Sequence, residues 1–127
     1  MKNLISLLFI AFCVTACDSG PKSMEVTATA YTSSVRETDS TPFLAAWGNT
    51  LKPGMKSIAV SRDLLELGLT NNTKVRIEGL EGDYLVLDKM NKRWEKKIDI
   101  YMGTDVKKAR EWGKRKVTIY WEEETEP

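Results

Sequence analysis

Short stretches in which apolar and polar side chains alternate recur along most of this chain. In residues 74–80, Val75 and Ile77 face one way while the charged residues beside them face the other. A period of two residues is typical of a β-strand with one buried face. The stretches with this pattern, or with the composition of a short buried strand, are residues 24–32, 57–61, 74–80, 116–121 and two strands within residues 84–101. The pattern therefore predicts six short strands.

One longer segment has the period of a helix instead. Residues 104–113 place Val106 and Trp112 on one apolar face, Asp105 or the preceding threonine is suited to cap the helix, and Gly113 is suited to end it. A brief helical turn is also predicted before the third strand. Six short strands with a single late helix favour a small β-barrel over a layered α/β sheet.

The connections between these elements are polar or rich in turn residues. Residues 33–42 form a polar stretch without a pattern, which predicts a surface loop. Residues 43–53 carry bulky apolar side chains without a sustained period, which predicts a packed loop. Within it, Trp47 could fill the core or line a groove as an aromatic wall, and a place in the core is favoured for a lone tryptophan.

The N-terminal segment has the features of an export signal. A basic residue, Lys2, is followed by an apolar run that is too short to span a bilayer and then by small residues before Cys17. The sequence from Val14 to Cys17 resembles the lipobox of bacterial lipoproteins, in which the cysteine becomes lipid-modified after cleavage. We therefore predict a lipoprotein signal peptide in residues 1–17 and a polar tether in residues 18–23.

These features predict a simple organisation of the exported protein. We expect one domain in residues 24–122, an acidic tail in residues 123–127, and a monomer. Lipid on Cys17 would attach the protein to a membrane of the bacterial cell envelope, facing the periplasm. Asp18 resembles a signal for retention at the inner membrane, but that rule varies between bacterial groups, so the choice between inner and outer membrane stays open.

Composition and charge exclude several classes of function. The 19 Lys and Arg residues nearly balance the 18 Asp and Glu residues, which argues against general binding to nucleic acid. The chain has no histidine, which excludes histidine-based catalytic triads and histidine-ligated metal sites. We expect neither a metal nor a cofactor. Acid–base chemistry would therefore depend on carboxylates, lysine or tyrosine.

Residues 84–101 contain two carboxylates of interest. The pattern of this segment predicts a strand, a basic loop and a second strand. Asp88 closes the first strand and Asp99 lies inside the second, so we expect them on neighbouring strands. The pair has two interpretations: an acid–base site, or a structural pair that forms salt bridges with the five cations between Lys89 and Lys97. From the pattern alone, the structural interpretation is favoured.

A set of ordered motifs resembles one known family. The motifs, in order, are ATAYT (28–32), AWG (46–48), PG (53–54), IAVS (58–61), LGL (67–69), KVRIEG (74–79), LD (87–88), KIDIYMG (97–103) and the final segment from Ala109 to Tyr120. Together they resemble the 3D domain, named for its three aspartates, which membrane-bound lytic transglycosylase A shares with small exported cell-wall proteins. The resemblance covers Val26 to Trp121 and implies a mainly β fold, a six-stranded double-psi β-barrel, with one short C-terminal helix.

The resemblance also implies roles for individual residues. Asp99 matches the family's catalytic acid and base, and Asp88 matches the second aspartate. The third aspartate of the family is replaced here by Ser61. The glycine-rich loop that follows the second aspartate in the family is replaced by the bulky, cationic segment from Lys89 to Trp94.

The implied function is cleavage or remodelling of peptidoglycan glycan strands by a lytic transglycosylase reaction. Trp94, Tyr31 and Trp47 are candidates for stacking on sugar rings, although each would also suit a barrel core. Tyr101 is a further candidate for the binding site and could hydrogen-bond one of the two aspartates. Two alternatives stay open: a barrel that binds peptidoglycan without cleaving it, and a scaffold that docks another envelope protein.

Overall fold

The computed structural model describes residues 21–33 and 43–122, with Phe43 described through its backbone. The predicted signal peptide, Cys17 and the acidic tail lie outside the described residues, as does nearly all of the predicted loop at residues 33–42. Eight strands and one α-helix make up the described part. They are β1 (Pro21–Tyr31), β2 (Phe43–Leu44), β3 (Thr50–Leu51), β4 (Ser57–Val60), β5 (Lys74–Ile77), β6 (Asp83–Lys89), β7 (Lys97–Tyr101), α1 (Val106–Trp112) and β8 (Arg115–Glu122).

The six predicted strands are β1 and β4 to β8, and all of them form. Strand β1 begins at Pro21 rather than at Met24, because its first residues pair with the end of β8 as far as Glu122. The last three residues of the predicted tether, residues 21–23, therefore belong to the sheet. The segment predicted as a packed loop contains the two-stranded sheet of β2 and β3, joined by a 3₁₀ turn at Ala46–Gly48.

Each of the six long strands pairs with two neighbours. The order is β1, β7, β4, β6, β5 and β8, and β8 pairs again with β1. Most neighbours are antiparallel, but β1 runs parallel to β7 and β4 runs parallel to β6. Strands β6 and β7, which we expected to be neighbours, are separated by β4, which pairs in parallel with β6 and antiparallel with β7.

The core lies inside the closed sheet and follows the predicted alternation. On β5, Val75 and Ile77 are buried while the residues between and before them are exposed. The same rule applies on β8, where Val117, Ile119 and Trp121 face inward. Burial of one face of every strand supplies the main stabilising term of such a sheet.

A second apolar cluster lies outside the main core, beneath the small β2–β3 sheet. Its buried members are Leu51, Leu87 and Tyr101, and the side chains of Tyr31, Ala45, Met55 and Leu85 pack against them. This second apolar cluster attaches residues 44–55 to the outer surface of β6 and β7. The face of the sheet that carries Asp99 is therefore partly covered, which the sequence pattern did not predict.

Helix α1 has the predicted ends but a different buried face. The Asp105 carboxylate accepts a hydrogen bond from the Lys108 N–H (3.0 Å), and Gly113 ends the helix with a positive φ. Trp112 is buried and its indole N–H donates to the Ala28 carbonyl (3.2 Å), whereas Val106 is 39% exposed. A single tryptophan thus anchors the helix to β1.

None of the helices among residues 21–33 and 43–122 is long and apolar enough to cross a membrane.

Candidate functional site

Four residues on adjacent strands form one row across the sheet. Thr29 pairs with Asp99, Asp99 pairs with Ala59, and Ala59 pairs in turn with Asp88. Because neighbouring strands lie about 4.8 Å apart, the Cα atoms of the two aspartates are separated by roughly 10 Å. Ala59 has a minimal side chain, so little bulk stands between the two carboxylates.

An irregularity in the sheet brings Asp88 into this row. Between β4 and β6 the register shifts at Ile58 and Ala59, so that Ile58 pairs with Val86 but Ala59 pairs with Asp88. The extra residue, Leu87, packs into the second apolar cluster. Bulges of this kind redirect side chains near functional sites. The bulge thus aligns Asp88 with Asp99 across β4.

The surroundings of the Asp99 carboxyl favour its protonated form over its charged form. It is half-buried, between the fully buried Ile98 and Ile100. Burial raises its pKa above the usual value, the neighbouring Asp88 charge also raises it, and the Thr29 hydrogen bond and the Lys97 charge oppose the rise. Since desolvation penalises the charged form, the net direction is upward.

Thr29 holds one oxygen of Asp99 in place. The Thr29 hydroxyl donates a hydrogen bond of 2.9 Å to Asp99 Oδ1 across the parallel pair β1 and β7. The other oxygen of Asp99 has no hydrogen-bond partner within the described residues. One oxygen is thus oriented while the other is available to a ligand.

Asp88 is held by backbone donors rather than by cations. Its Oδ1 accepts hydrogen bonds from the Ala46 N–H and from the Lys89 N–H, both at 2.9 Å. The first of these bonds connects β6 to the 3₁₀ turn beside Trp47. Bonds from N–H groups to a carboxylate are among the stronger hydrogen bonds in proteins. Asp88 therefore positions the small sheet as well as contributing charge to the row.

The salt bridges that the structural interpretation predicted are absent from the described part of the chain. Within residues 21–33 and 43–122, neither Asp88 nor Asp99 forms a salt bridge, and the one pair found joins Lys107 to Glu111 on helix α1. Several cations of the basic loop instead lie over indole rings. Salt bridges to the basic loop therefore do not account for either carboxylate in the described part of the chain.

Tyr31 and Tyr101 border the row on the side of the second apolar cluster. Their rings are 5.5 Å apart between centroids, and the Tyr101 hydroxyl is 2.6 Å from the Ser33 Oγ. Burial raises the pKa of Tyr31 well above its ordinary range, and the charges of Asp88 and Asp99 and the neighbouring Tyr101 raise it further. Tyr31 is therefore a neutral phenol close to both carboxylates.

Trp47 lies at the surface, so the expectation that it fills the core is wrong. Its side chain is 40% exposed, and its backbone adopts a left-handed conformation with φ of 56°. The turn that contains it is fixed by the Asp88 bond to Ala46, which directs the indole outward. The Lys89 ammonium lies 5.2 Å from the centre of the Trp47 ring. Trp47 thus borders the site rather than supporting the fold.

Trp94 lies in the loop between β6 and β7 and is half-buried. The Arg93 guanidinium lies 4.9 Å from the centre of its ring, and the Lys97 ammonium lies 3.6 Å from it. Stacking of a sugar on this ring would require these cations to move aside. The predicted role of Trp94 in sugar binding stays a prediction. In the structure its ring contacts the two cations.

Ser61 has a structural position. It is fully buried, and its Oγ accepts a hydrogen bond from the Lys97 N–H at 3.0 Å. It therefore does not cap the 3₁₀ turn Arg62–Leu67 through its side chain. The Asp63 carboxylate, two residues later, accepts a bond from the Lys96 N–H. Neither residue lies in the row of Asp88 and Asp99.

A groove lies elsewhere, along β5 and β8. It has a volume of about 1060 Å³ and is bordered by side chains that include Arg76, Glu78 and Tyr120. These are charged or polar positions on exposed strand faces, and neither Asp88 nor Asp99 borders the groove. The row, by contrast, combines a half-buried carboxyl, an oriented oxygen and a second carboxylate.

No group of three or more carboxylate or thiol side chains that could hold a metal ion is found in residues 21–33 and 43–122.

Thr29 and Ala59 belong to the site but were not predicted from the sequence. The alternation in β1 places Thr29 on the polar face, and this is the one signal that could have indicated it. Its partner could not be read from the sequence, because parallel pairing between distant strands leaves no local pattern.

Comparison of the chain with models of known protein families and with curated proteins finds no match in either.

Proposed function

We propose that this protein is a bacterial envelope lipoprotein that cleaves or remodels the glycan strands of peptidoglycan, as a lytic transglycosylase does. Asp99 is the general acid and base, and Asp88 assists it. The observation that carries the proposal is the environment of Asp99. Its carboxyl is half-buried, its pKa is raised, and one of its oxygens is held by Thr29. These features favour the protonated form of the carboxyl, which is the form that a general acid needs.

The fold in this proposal is a double-psi β-barrel of the 3D type. Its support is the closed order of six strands, with one parallel pair formed by β1 and β7 and another by β4 and β6. Further support comes from the position of the two aspartates that match the family motifs. They lie in one row, on either side of Ala59.

The proposed reaction needs one carboxyl group in two protonation states. The protonated Asp99 donates its proton to the glycosidic oxygen, and the bond from that oxygen to the muramyl C1 breaks. Positive charge then develops at C1 and the ring oxygen. The muramyl 6-hydroxyl attacks C1 and gives its proton to the Asp99 carboxylate. The products are a shortened glycan and a 1,6-anhydromuramyl end, and no water is consumed.

Asp88 contributes to this reaction through its charge. A negative group near Asp99 raises the pKa of Asp99, which favours the proton-donating form before the bond breaks. The same charge would stabilise the positive sugar carbon that develops during cleavage. Because two backbone N–H groups hold Asp88, its carboxylate does not have to reorient during the reaction.

A second function, binding of peptidoglycan without cleavage, is favoured by one specific observation. The position of the third family aspartate is occupied by Ser61, which is fully buried and bonded to the backbone of β7. A site with two of the three carboxylates would retain affinity for glycan while losing turnover. The two functions differ in whether product is released.

Incubation of the full chain in detergent with purified peptidoglycan sacculi separates the two functions. An enzyme releases soluble muropeptides with anhydromuramyl ends, at a rate proportional to protein concentration. A binding module sediments with the sacculi and releases nothing. Absence of both sedimentation and release would exclude both functions and would leave a scaffold that docks another envelope protein.

A further inference from the structure

The loop between β6 and β7 concentrates positive charge beside the row of carboxylates. We define the cationic loop as residues 89–97, which contain five cations and one carboxylate, Glu95. The cations are Lys89, Lys92, Arg93, Lys96 and Lys97. None of them forms a salt bridge within the described residues. This local excess contrasts with the near balance of charge over the chain as a whole.

Two indole rings hold three of these cations in position. Lys97 and Arg93 both lie over Trp94, and Lys89 lies over Trp47. A cation over an indole face is stabilised without being neutralised, because the ring carries no net charge. The indoles therefore orient the positive groups and leave their charge available to an anion.

Backbone contacts fix the cationic loop itself. The Met90 N–H donates to the Val60 carbonyl, and the Arg62 side chain donates to the Met90 carbonyl (3.0 Å). At the other end, the Asp63 carboxylate accepts from the Lys96 N–H (3.0 Å). Both ends of the loop are thus attached to β4 and to the turn that follows it. Preorganisation lowers the entropic cost of binding a ligand.

We propose that the cationic loop binds carboxylate groups carried by a glycan strand, next to the site where Asp99 acts. The identification of that glycan as peptidoglycan rests on the proposed function. In peptidoglycan, the carboxylates are those of the stem peptides attached to the muramyl residues. The loop would then select strands that carry peptides over strands that lack charged substituents.

The spacing of opposite charges favours this ligand over a dense polyanion. Lys89 directly follows Asp88, and Lys97 is two residues from Asp99 on the same strand face. The closely spaced phosphates of a nucleic acid would be repelled by the two carboxylates wherever they contacted the cations. A glycan presents neutral rings with separate anionic substituents, so its rings can lie beside Asp88 and Asp99 while its carboxylates reach the loop.

The test compares two triple variants that remove the same charge from different places. The first is Lys92→Gln, Arg93→Gln and Lys96→Gln, which removes three exposed cations of the loop. The control is Lys108→Gln, Arg110→Gln and Lys114→Gln, which removes two lysines and one arginine from exposed positions in or beside helix α1. Both are made in full-length Asp99→Asn protein in detergent, so that sacculi are not consumed.

Binding is measured to sacculi, to polygalacturonate as a carboxylated polysaccharide, and to uncharged chitin oligomers. We expect the loop variant to bind sacculi and polygalacturonate roughly tenfold more weakly, since each exposed ion pair contributes a factor of about 1.4 to 5. The control variant should stay within about twofold of its parent. Added salt should weaken binding by the parent more than binding by the loop variant.

Several results would overturn the proposal. One is an equal loss of affinity in the two triple variants. Another is binding of chitin oligomers as tight as that of polygalacturonate. A third is tighter binding of single-stranded DNA or anionic lipid vesicles than of either carboxylated glycan. Binding of polygalacturonate without binding of sacculi would support the loop as a carboxylate site and contradict the proposed function. If wild-type protein releases muropeptides but the loop variant binds sacculi as tightly as its Asp99→Asn parent, the proposed function is supported and the loop proposal is overturned.

Discussion

At the scale of single residues, the pKa of Asp99 depends on opposing effects, because burial raises it and contacts with neighbouring side chains lower it. Its flanking isoleucines lie in the core, which withdraws the carboxyl from water and raises its pKa. Thr29 and Lys97 oppose this rise but do not cancel it. The salt bridges with neighbouring cations, which one of the two interpretations of the sequence predicted, do not form within residues 21–33 and 43–122.

The raised pKa of Asp99 predicts that Asp99→Asn stabilises the fold as the pH rises. The folded state holds this proton more tightly than the unfolded chain does, so wild-type stability falls as the pH rises through the window between the ordinary and the raised pKa. Asparagine has no such loss and can still accept the Thr29 hydrogen bond. We expect the variant's advantage in free energy of unfolding to grow as the pH rises through this window.

Denaturant unfolding of both proteins at several pH values measures this difference. A wild-type protein that gains stability relative to Asp99→Asn with rising pH would show that the pKa of Asp99 is lowered by folding, contrary to the proposed role as a proton donor.

The two buried serines at the ends of β4 give a matched pair of predictions. Ser61→Ala removes the acceptor for the Lys97 N–H, and we expect it to lower the free energy of unfolding by about 1–3 kcal/mol. Ser57 has the same burial, but its hydroxyl has no hydrogen-bond partner within the described residues. Ser57→Ala should therefore be neutral or slightly stabilising.

Thermal or denaturant unfolding of the two variants checks this pair. If Ser61 is structural, activity per folded molecule is unchanged in Ser61→Ala. A loss of activity larger than the loss of folded protein would contradict that assignment and would place Ser61 in the site.

At the scale of elements, the site depends on which strands meet. The sequence predicted six strands correctly, and it predicted the faces of β5 and β8 from their alternation. It placed Asp88 and Asp99 on neighbouring strands, whereas β4 lies between them. The error has a physical cause: a short connection suggests a hairpin, but β6 and β7 each pair with β4, which enters from earlier in the chain. Local patterns carry no record of such long-range pairing.

The small sheet of β2 and β3 depends on Asp88 for its attachment to β6. Asp88→Ala removes the acceptor for the Ala46 N–H, so we expect hydrogen exchange at Ala46 to become roughly 10- to 100-fold faster, as for loss of a hydrogen bond to a charged group. The control is Asp83→Ala, which removes an exposed carboxylate from the start of the same strand.

Amide exchange followed by NMR distinguishes the two variants. Equal exchange at Ala46 in Asp88→Ala and in wild type would show that the second apolar cluster alone holds the turn, and would reduce Asp88 to a source of charge.

At the scale of the whole molecule, the fold class was predicted more completely than the site. Mainly β structure, the six strands of the main sheet, one late helix with its Asp105 cap and the inward-facing positions on β5 and β8 all follow from periodicity and turn chemistry. The outward position of Trp47 and the row through Ala59 do not, because a positive φ in a turn and a bulge in β6 are set by tertiary contacts.

The proposed location in the cell envelope leads to a prediction about the N-terminal segment. If Cys17 carries lipid, the protein expressed in a bacterium should fractionate with membranes and incorporate labelled fatty acid. Cys17→Ser should abolish the label and leave an uncleaved precursor, while Cys13→Ser should change neither. Labelling that persists in Cys17→Ser, or that is lost in Cys13→Ser, would contradict the predicted processing.

The most direct measurement compares the products that wild-type protein and Asp99→Asn release from purified sacculi, identified by mass spectrometry. Circular dichroism and sedimentation with sacculi confirm beforehand that both proteins are folded and bind. We expect wild type to release muropeptides with 1,6-anhydromuramyl ends and Asp99→Asn to release them at least about 100-fold more slowly, in line with loss of a general acid. Equal release by the two proteins, or products with reducing muramyl ends only, would contradict the role proposed for Asp99.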